Sequence, residues 1–497
     1  MTRGLFRSYL VNTSGTAVQT LIALVTVPVY IHHIGAARYG ILSIVWILLG
    51  YFGFLDFGLS RASANALGRM RDAPRHERAR VLSTTLYLNL ALGLAGSCLL
   101  YLSGLILLRG FFNLGGELRA EVLAAFPWTV FMLPLAMVSS IGIGALESRE
   151  SFVSANILQI AGYVLGQLAP VACAVFVSPS LAVLVPAALA GRVVATLATF
   201  AVVVAAEGGI DPRAFDRAHV PRLFKYGAWV SVTNVLSPIL SSADQIMIGT
   251  LLGPTPVAHY AVPMNLAVRG QLVATSLART LFPRMSHLDA GSARALASRA
   301  TVALAYLFGA VCAAGIVFVG PFLRLWVGAD FASGSVHVGQ ILLIGAWANG
   351  VAFIPFSLLQ AQERPDLVAK VHAAQAVPCL LLFFGMTKLF GLEGAAITWT
   401  FRVAVDCLLL LLLAGLTAPV VARLALPSLL LVGAWALARF YPVDLWAAAG
   451  LAGAAALAVG AVGLALEPSL RGPLLAWAKP RLFGPGAYVS STLGDDA

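Results

Sequence analysis

The chain has 497 residues, of which 60% are hydrophobic and 11% charged, with a formal net charge of +11 and a mean hydropathy of +0.89. A soluble domain carries about 25% charged residues, so these charges are too few to clothe the roughly three soluble cores that the length suggests. The figures exclude a soluble enzyme or nucleic-acid binder and predict an all-α polytopic membrane protein.

A helix crosses a bilayer with about 20 mostly apolar residues. In chain order, fourteen stretches meet this condition: 8–31, 39–60, 81–108, 122–146, 152–177, 181–206, 223–252, 257–283, 298–323, 335–362, 367–388, 392–416, 420–439 and 443–466. The basic start (Met1 to Arg7) is like that of a signal peptide. The apolar run behind it is long and lacks an A-x-A site, which predicts an uncleaved first span. The tail 471–497 is rich in Gly, Pro and Ser and is expected to be disordered and cytoplasmic.

Orientation follows from Lys and Arg in short loops. With the N-terminus inside, the cytoplasmic segments hold 23 of the 32 Lys and Arg and the opposite side 6. This bias predicts an even number of spans and both termini in the cytoplasm. It also explains the basic charge without nucleic acid.

The most polar interior loop, EGGIDPRAFDRAHVPRLFK at 207–225, follows span six. A shift of 218 positions places Ile34-Gly35 on Leu252-Gly253 and Leu59-Ser60-Arg61 on Leu277-Ala278-Arg279. The reading is two six-helix lobes around a central cavity plus two C-terminal helices. The N-terminal lobe is 1–206, the cytoplasmic linker 207–222, the C-terminal lobe 223–416, and the extra spans thirteen and fourteen lie at 417–470. Six is even, so both lobes start on the same side and the repeat is parallel.

No engine of its own is visible. None of the four lysines follows a glycine, which excludes a Walker A loop. HExxH, CxxC and GxSxG are absent, and the five cysteines all fall in apolar stretches. The expectation is no enzyme activity, no metal site and no cofactor.

Charges inside spans cost about 2.5–3.5 kcal/mol on insertion scales and usually face a bundle interior or a wet cavity. Here they are Asp56, Asp244, Asp406, Arg192, Arg269 and Arg402. Arg402 and Asp406 stand four apart and are read as a structural pair. Arg192 either reaches a carbonyl as a packing residue or faces the cavity. Polar stripes recur at helical spacing: Asn12, Thr16 and Gln19; Asn234, Ser237, Ser241, Asp244 and Gln245; Asn265, Arg269 and Ser276. Each stripe alone serves helix-to-helix hydrogen bonding; the three together favour one hydrated cavity. Pro28 and Pro238 interrupt spans one and seven and are candidate hinges.

The substrate-binding candidates are therefore Arg269, Asn265, Asn234, Ser241, Asn12, Gln19 and Arg192. Arg269 carries most weight, because its guanidinium binds phosphate oxygens in bidentate fashion and has no acid one turn away. Asp244, then Asp56, is the candidate ion-coupling carboxylate. Two arrangements remain open for Asp244: a coupling site near Arg269, or a static Asp244–Arg269 bridge.

The stretch TSGTAVQTLIALVTVPVYIHHIGAARYGILSIVWILLGYFGFLDFGLSRA resembles the opening of polysaccharide repeat-unit flippases, the Wzx-type branch of the multidrug/oligosaccharidyl-lipid/polysaccharide exporter superfamily. ADQIMIGTLLGPTPVAHYAVPMNLAVRG is similar to that family's D-x-x-x-I-G-x-x-L-G followed by Tyr. The likeness covers about 1–440 in layout. It implies alternating access and export of undecaprenyl-diphosphate-linked oligosaccharide across the bacterial inner membrane. A coupling proton or sodium ion and polysaccharide polymerase machinery as a partner also belong to the implied picture. Runner-up readings on the same fold are a peptidoglycan lipid-precursor flippase and a cation-coupled multidrug exporter. Three intramembrane acids against three bases lean toward an anionic cargo.

Overall fold

The computed structural model describes residues 3–51, 59–70, 73–110, 114–207, 209, 215–216, 243–416, 418–441, 444–468 and 470–471. Within these ranges the side chains of 3–17, 47–51, 59–62, 65, 103 and 106–110 fall outside the description. The described residues are helical, with no strand. In chain order the helices are α1 (Arg3–Tyr51), α2 (Leu59–Arg69), α3 (Arg75–Gly110), α4 (Gly116–Ser148), α5 (Phe152–Phe176) and α6 (Leu181–Glu207). After a helical stretch at 243–251 come α7 (Pro254–Gly270), α8 (Leu272–His287), α9 (Ala290–Val327), α10 (Ala329–Ala361), α11 (Pro365–Leu413), α12 (Ala418–Phe440) and α13 (Leu445–Leu466).

Ten of these helices are long and apolar enough to cross a membrane. Two of them each cover a pair of the spans expected from sequence, with a glycine break between the pair. Gly35 (φ 77°, ψ 164°) divides α1, and Gly391 (φ 58°, ψ −137°) divides α11. Side chains rarely adopt a positive φ of this kind, whereas glycine does so freely. Both breaks fall where the hydropathy separates span one from two and span eleven from twelve. The architecture is thus all-α and polytopic, and most of span seven lies outside the described residues.

Two local differences from the sequence reading have simple causes. The span expected at 257–283 is two helices, which meet at Gly270 and Gln271. Gly270 weakens the helix there. The Gln271 amide is drawn sideways, where Nε2 donates to Ala346 O at 3.3 Å and Oε1 accepts from Asn349 at 3.1 Å. The segment 61–80, read as a loop, is mostly helix: α2 runs to Arg69 and α3 starts at Arg75. At 36 residues α3 spans about 54 Å, well over the roughly 30 Å of hydrocarbon, so its polar start stands outside the apolar layer.

The chain folds as two compact units. The first comprises Met1–Arg269, Gly320–Leu342 and Ala369–Arg402. Within it α4, α5 and α6 pack on one another, α1 packs on α5, and α2 closes against α3 and α4. Leu67, Leu82, Ile141, Leu146 and Val203 form its apolar core at one end. At Gly191 a Cβ would press into the Leu165 carbonyl, so α5 and α6 cross backbone to backbone there. The second unit comprises Gly270–Val319, Leu343–Val368 and Val403–Ala497. Its described interior includes the Trp347 indole donating to Ala305 O at 2.9 Å, and Gly463 seated against Tyr306.

Candidate functional site

The first unit contains two cavities that share Tyr163. The first measures about 250 Å³ and is lined by Arg269, Asn265, Gln245, Trp46, Tyr163 and Trp326, among others. Arg269 and Asn265 sit one turn apart on α7 and so face the same way. Arg269 is half-buried and has no carboxylate within ion-pair distance among the described residues. Its positive charge is therefore balanced by nothing that the described side chains supply.

Aromatic rings form part of the same lining. The Trp46 ring meets the buried rings of Tyr30 and Tyr39 edge-on, with centroids at 5.5 and 6.0 Å. Trp326 stacks on Phe322 at 5.2 Å, and its indole N–H donates to Leu24 O at 2.6 Å. These contacts hold both indoles in place at the cavity they line. The second cavity measures about 280 Å³ and is lined by Arg192, Gln19, Gln159, Ser139, Thr196 and Tyr163. Arg192 too lacks an ion-pair partner among the described residues. Gly166 leaves room for the Arg192 side chain, whose Cγ and Nε lie 3.6 Å from where a Cβ would be.

Asp244 occupies a third place. It is 5% exposed; its Oδ2 accepts from the Tyr260 hydroxyl at 2.9 Å and its Oδ1 from the Gln245 backbone at 2.8 Å. Arg402 lines the same small cavity of about 30 Å³, with Cys379, Thr398 and Trp399. Arg402, not Arg269, is thus the guanidinium in the cavity of Asp244. Asp406 lies one turn beyond Arg402 and is buried.

Of the residues singled out from sequence, Arg269 and Asn265 meet in one cavity, and Arg192 and Gln19 in the neighbouring one. Pro28 lies inside α1, and the departure from helical backbone in that helix comes at Gly35. Asn234, Ser241, Pro238 and Asp56 lie outside the described residues, as does the side chain of Asn12. Sequence reasoning missed the aromatic wall and noted Tyr260 only as the tyrosine of a motif, with no role. The signal for the wall was Tyr39 and Trp46, seven apart and so on one helical face.

Two ion clusters bind the helix ends of this unit. Glu207, at the end of α6, takes both Arg78 (2.6 and 2.8 Å) and Arg149 (2.8 and 3.0 Å). Arg78 is 1% exposed and also donates to Leu67 O and Met70 O, closing the end of α2. The segment 61–80 holds six arginines, and Arg78 among them is a buried strut. At other helix ends, Glu121 accepts from Arg38 at 2.6 and 2.9 Å and from the Leu181 backbone at 3.0 Å, which ties α1 and α4 to the start of α6.

The chain is similar to a Shigella flexneri protein named "Putative O-antigen transporter", 29% identical over 403 residues that cover 80% of this chain and 95% of that one. Its fold is like that of the lipid II flippase MurJ in an inward closed conformation (TM-score 0.72, 12% identity, covering 93% of this chain and 99% of that one). It is also like an inward-facing multidrug resistance MATE family transporter of the MOP superfamily (TM-score 0.63, 15% identity, covering 82% and 95%). The model of the family described as polysaccharide biosynthesis protein matches residues 5–289, and the chain belongs to that family.

Proposed function

We propose that this chain moves undecaprenyl-diphosphate-linked oligosaccharide repeat units from the cytoplasmic to the periplasmic leaflet of a bacterial inner membrane by alternating access. The observation that carries the reading is Arg269, a cation facing a cavity inside an apolar helix bundle, with no carboxylate partner among the described residues. Such a charge is expensive in a membrane unless an anion meets it. A diphosphate does so with two parallel hydrogen bonds to the guanidinium fork. A diphosphate-linked sugar is too polar to cross roughly 30 Å of hydrocarbon unaided, which is why it needs a wet cationic path. The S. flexneri relative, named for O-antigen transport, supports the same cargo class.

In this reading Asn265 assists Arg269, while Arg192 and Gln19 extend the polar path through the second cavity. Asn12, Asn234 and Ser241 complete it. Asp244 is the ion-coupling carboxylate, with Asp56 second, and Arg402 supplies its counter-charge. The lobes are 1–206 and 223–416, Pro28 and Pro238 serve as hinges, both termini are cytoplasmic, and polysaccharide polymerase machinery receives the product.

The test is removal of the chain from its host. Lipid-linked oligosaccharide should accumulate on the cytoplasmic leaflet while its synthesis continues. Unchanged surface polysaccharide together with a new sensitivity to cationic drugs would replace this reading with the multidrug exporter.

A further inference from the structure

The cavity that holds Arg269 also contains a buried acceptor with no donor among the described residues. Gln245 is 7% exposed, lines the cavity, and its Oε1 has no hydrogen-bond partner among the described residues. Buried amide oxygens are almost always satisfied, and one left open at a cavity wall calls for a donor from a ligand. The diphosphate is not that donor, because its oxygens only accept.

The rest of the lining indicates what kind of donor fits. Trp46 and Trp326 line the cavity, and contacts with Tyr30, Tyr39, Phe322 and Leu24 O fix their rings. The indole N–H of Trp326 is already spent on Leu24 O, so that residue offers the cavity an apolar surface. Asn265 and Tyr163 add polar edges. A sugar ring matches this pattern: its C–H face packs on an aromatic plane while hydroxyls at its rim make directed hydrogen bonds. Size sets the number of rings. At about 250 Å³ the space, below the roughly 300–1,000 Å³ of pockets that enclose drug-sized ligands, suits one sugar ring.

We propose that this cavity is a monosaccharide subsite. One sugar ring of the cargo lies against Trp46 and Trp326 and donates a hydroxyl or amide hydrogen to Gln245 Oε1, beside the phosphate held by Arg269. The proposal rests on the reading of Arg269 as the phosphate-binding residue and adds that the site selects by sugar.

The experiment uses the full chain in detergent and two kinds of probe: farnesyl diphosphate alone, and farnesyl diphosphate bearing glucose, galactose, N-acetylglucosamine or N-acetylgalactosamine. Binding is read by tryptophan fluorescence. At least one sugar-bearing probe should bind about tenfold more tightly than the bare diphosphate. Gln245→Met should remove that preference while the bare diphosphate still binds, which also reports that the variant is folded. Trp46→Leu, which removes a stacking face without touching the buried amide, should weaken the preference in the same way. Equal binding of all probes by the wild type, or full preference kept by both variants, would overturn the subsite. Failure of the reading beneath it looks different: the bare diphosphate would not bind, or Arg269→Ala would bind it as well as the wild type.

Discussion

Arg78 and Glu207, 129 residues apart in the chain, meet as a two-pronged ion pair, with Nε to Oε2 at 2.8 Å and Nη2 to Oε1 at 2.6 Å. Arg149 adds a second pair of bonds to the same carboxylate, so the start of α3 and the ends of α4 and α6 converge on one group. Breaking a buried pair from one side strands the other charge, at a cost of about 3–5 kcal/mol. Glu207→Gln should therefore lower the thermal unfolding midpoint far more than Arg149→Gln, because Arg149 is the more exposed partner. Equal midpoints for the two variants would remove the strut.

Glycine at position 40 is a matter of space. A Cβ there would run into the carbonyl of Pro254, and backbone atoms do not yield as a flexible side chain would. Gly40→Ala should cost about 1–3 kcal/mol through overpacking. Gly35→Ala should cost a similar ~1–3 kcal/mol for another reason: its surroundings are open, but its φ of 77° is strained for any side chain. Chemical denaturation of the purified protein measures both. Wild-type stability in Gly40→Ala would contradict the close approach of the two backbones.

Asp244, Tyr260 and Arg402 form the proposed coupling group. Asp244→Asn should abolish gradient-driven export while binding of the cargo persists. Tyr260→Phe removes one of two donors to the carboxylate and should lower export only in part. Proteoliposomes with and without an imposed ion gradient separate the outcomes, and gradient-driven export by Asp244→Asn at the wild-type rate would eliminate the coupling role.

The proposed topology predicts opposite signals from reporter fusions placed after residue 497 and within 109–121. A periplasmic signal from the tail would remove the fourteen-span arrangement.

Spans were legible in the sequence because apolar length is a direct physical requirement of the bilayer. The breaks at Gly35 and Gly391 were legible too, since they fall between stretches of apolar sequence. Arg78 shows where that reasoning stops. By composition it is one arginine among six in a polar segment, and only the fold brings Glu207 to it from 129 residues away. The same holds for Asp244: the sequence offers Arg269 and Arg402 alike as counter-charges, and helix packing brings Arg402 to its cavity. Arg269 itself stood out early, because its own helix supplies no acid one turn away. The aromatic wall around it joins residues from α1, α5 and the end of α9, a grouping that no local periodicity encodes.

The most direct measurement is transbilayer movement of a lipid-diphosphate-linked oligosaccharide in proteoliposomes containing the purified chain, compared across Arg269 variants. A charge-assisted hydrogen bond contributes about 1.5–3 kcal/mol, so Arg269→Ala should slow movement by about tenfold or more while the protein remains folded and inserted. Arg269→Lys should recover part of the rate, since a point charge replaces a two-pronged fork. Movement at the wild-type rate by Arg269→Ala would contradict the account.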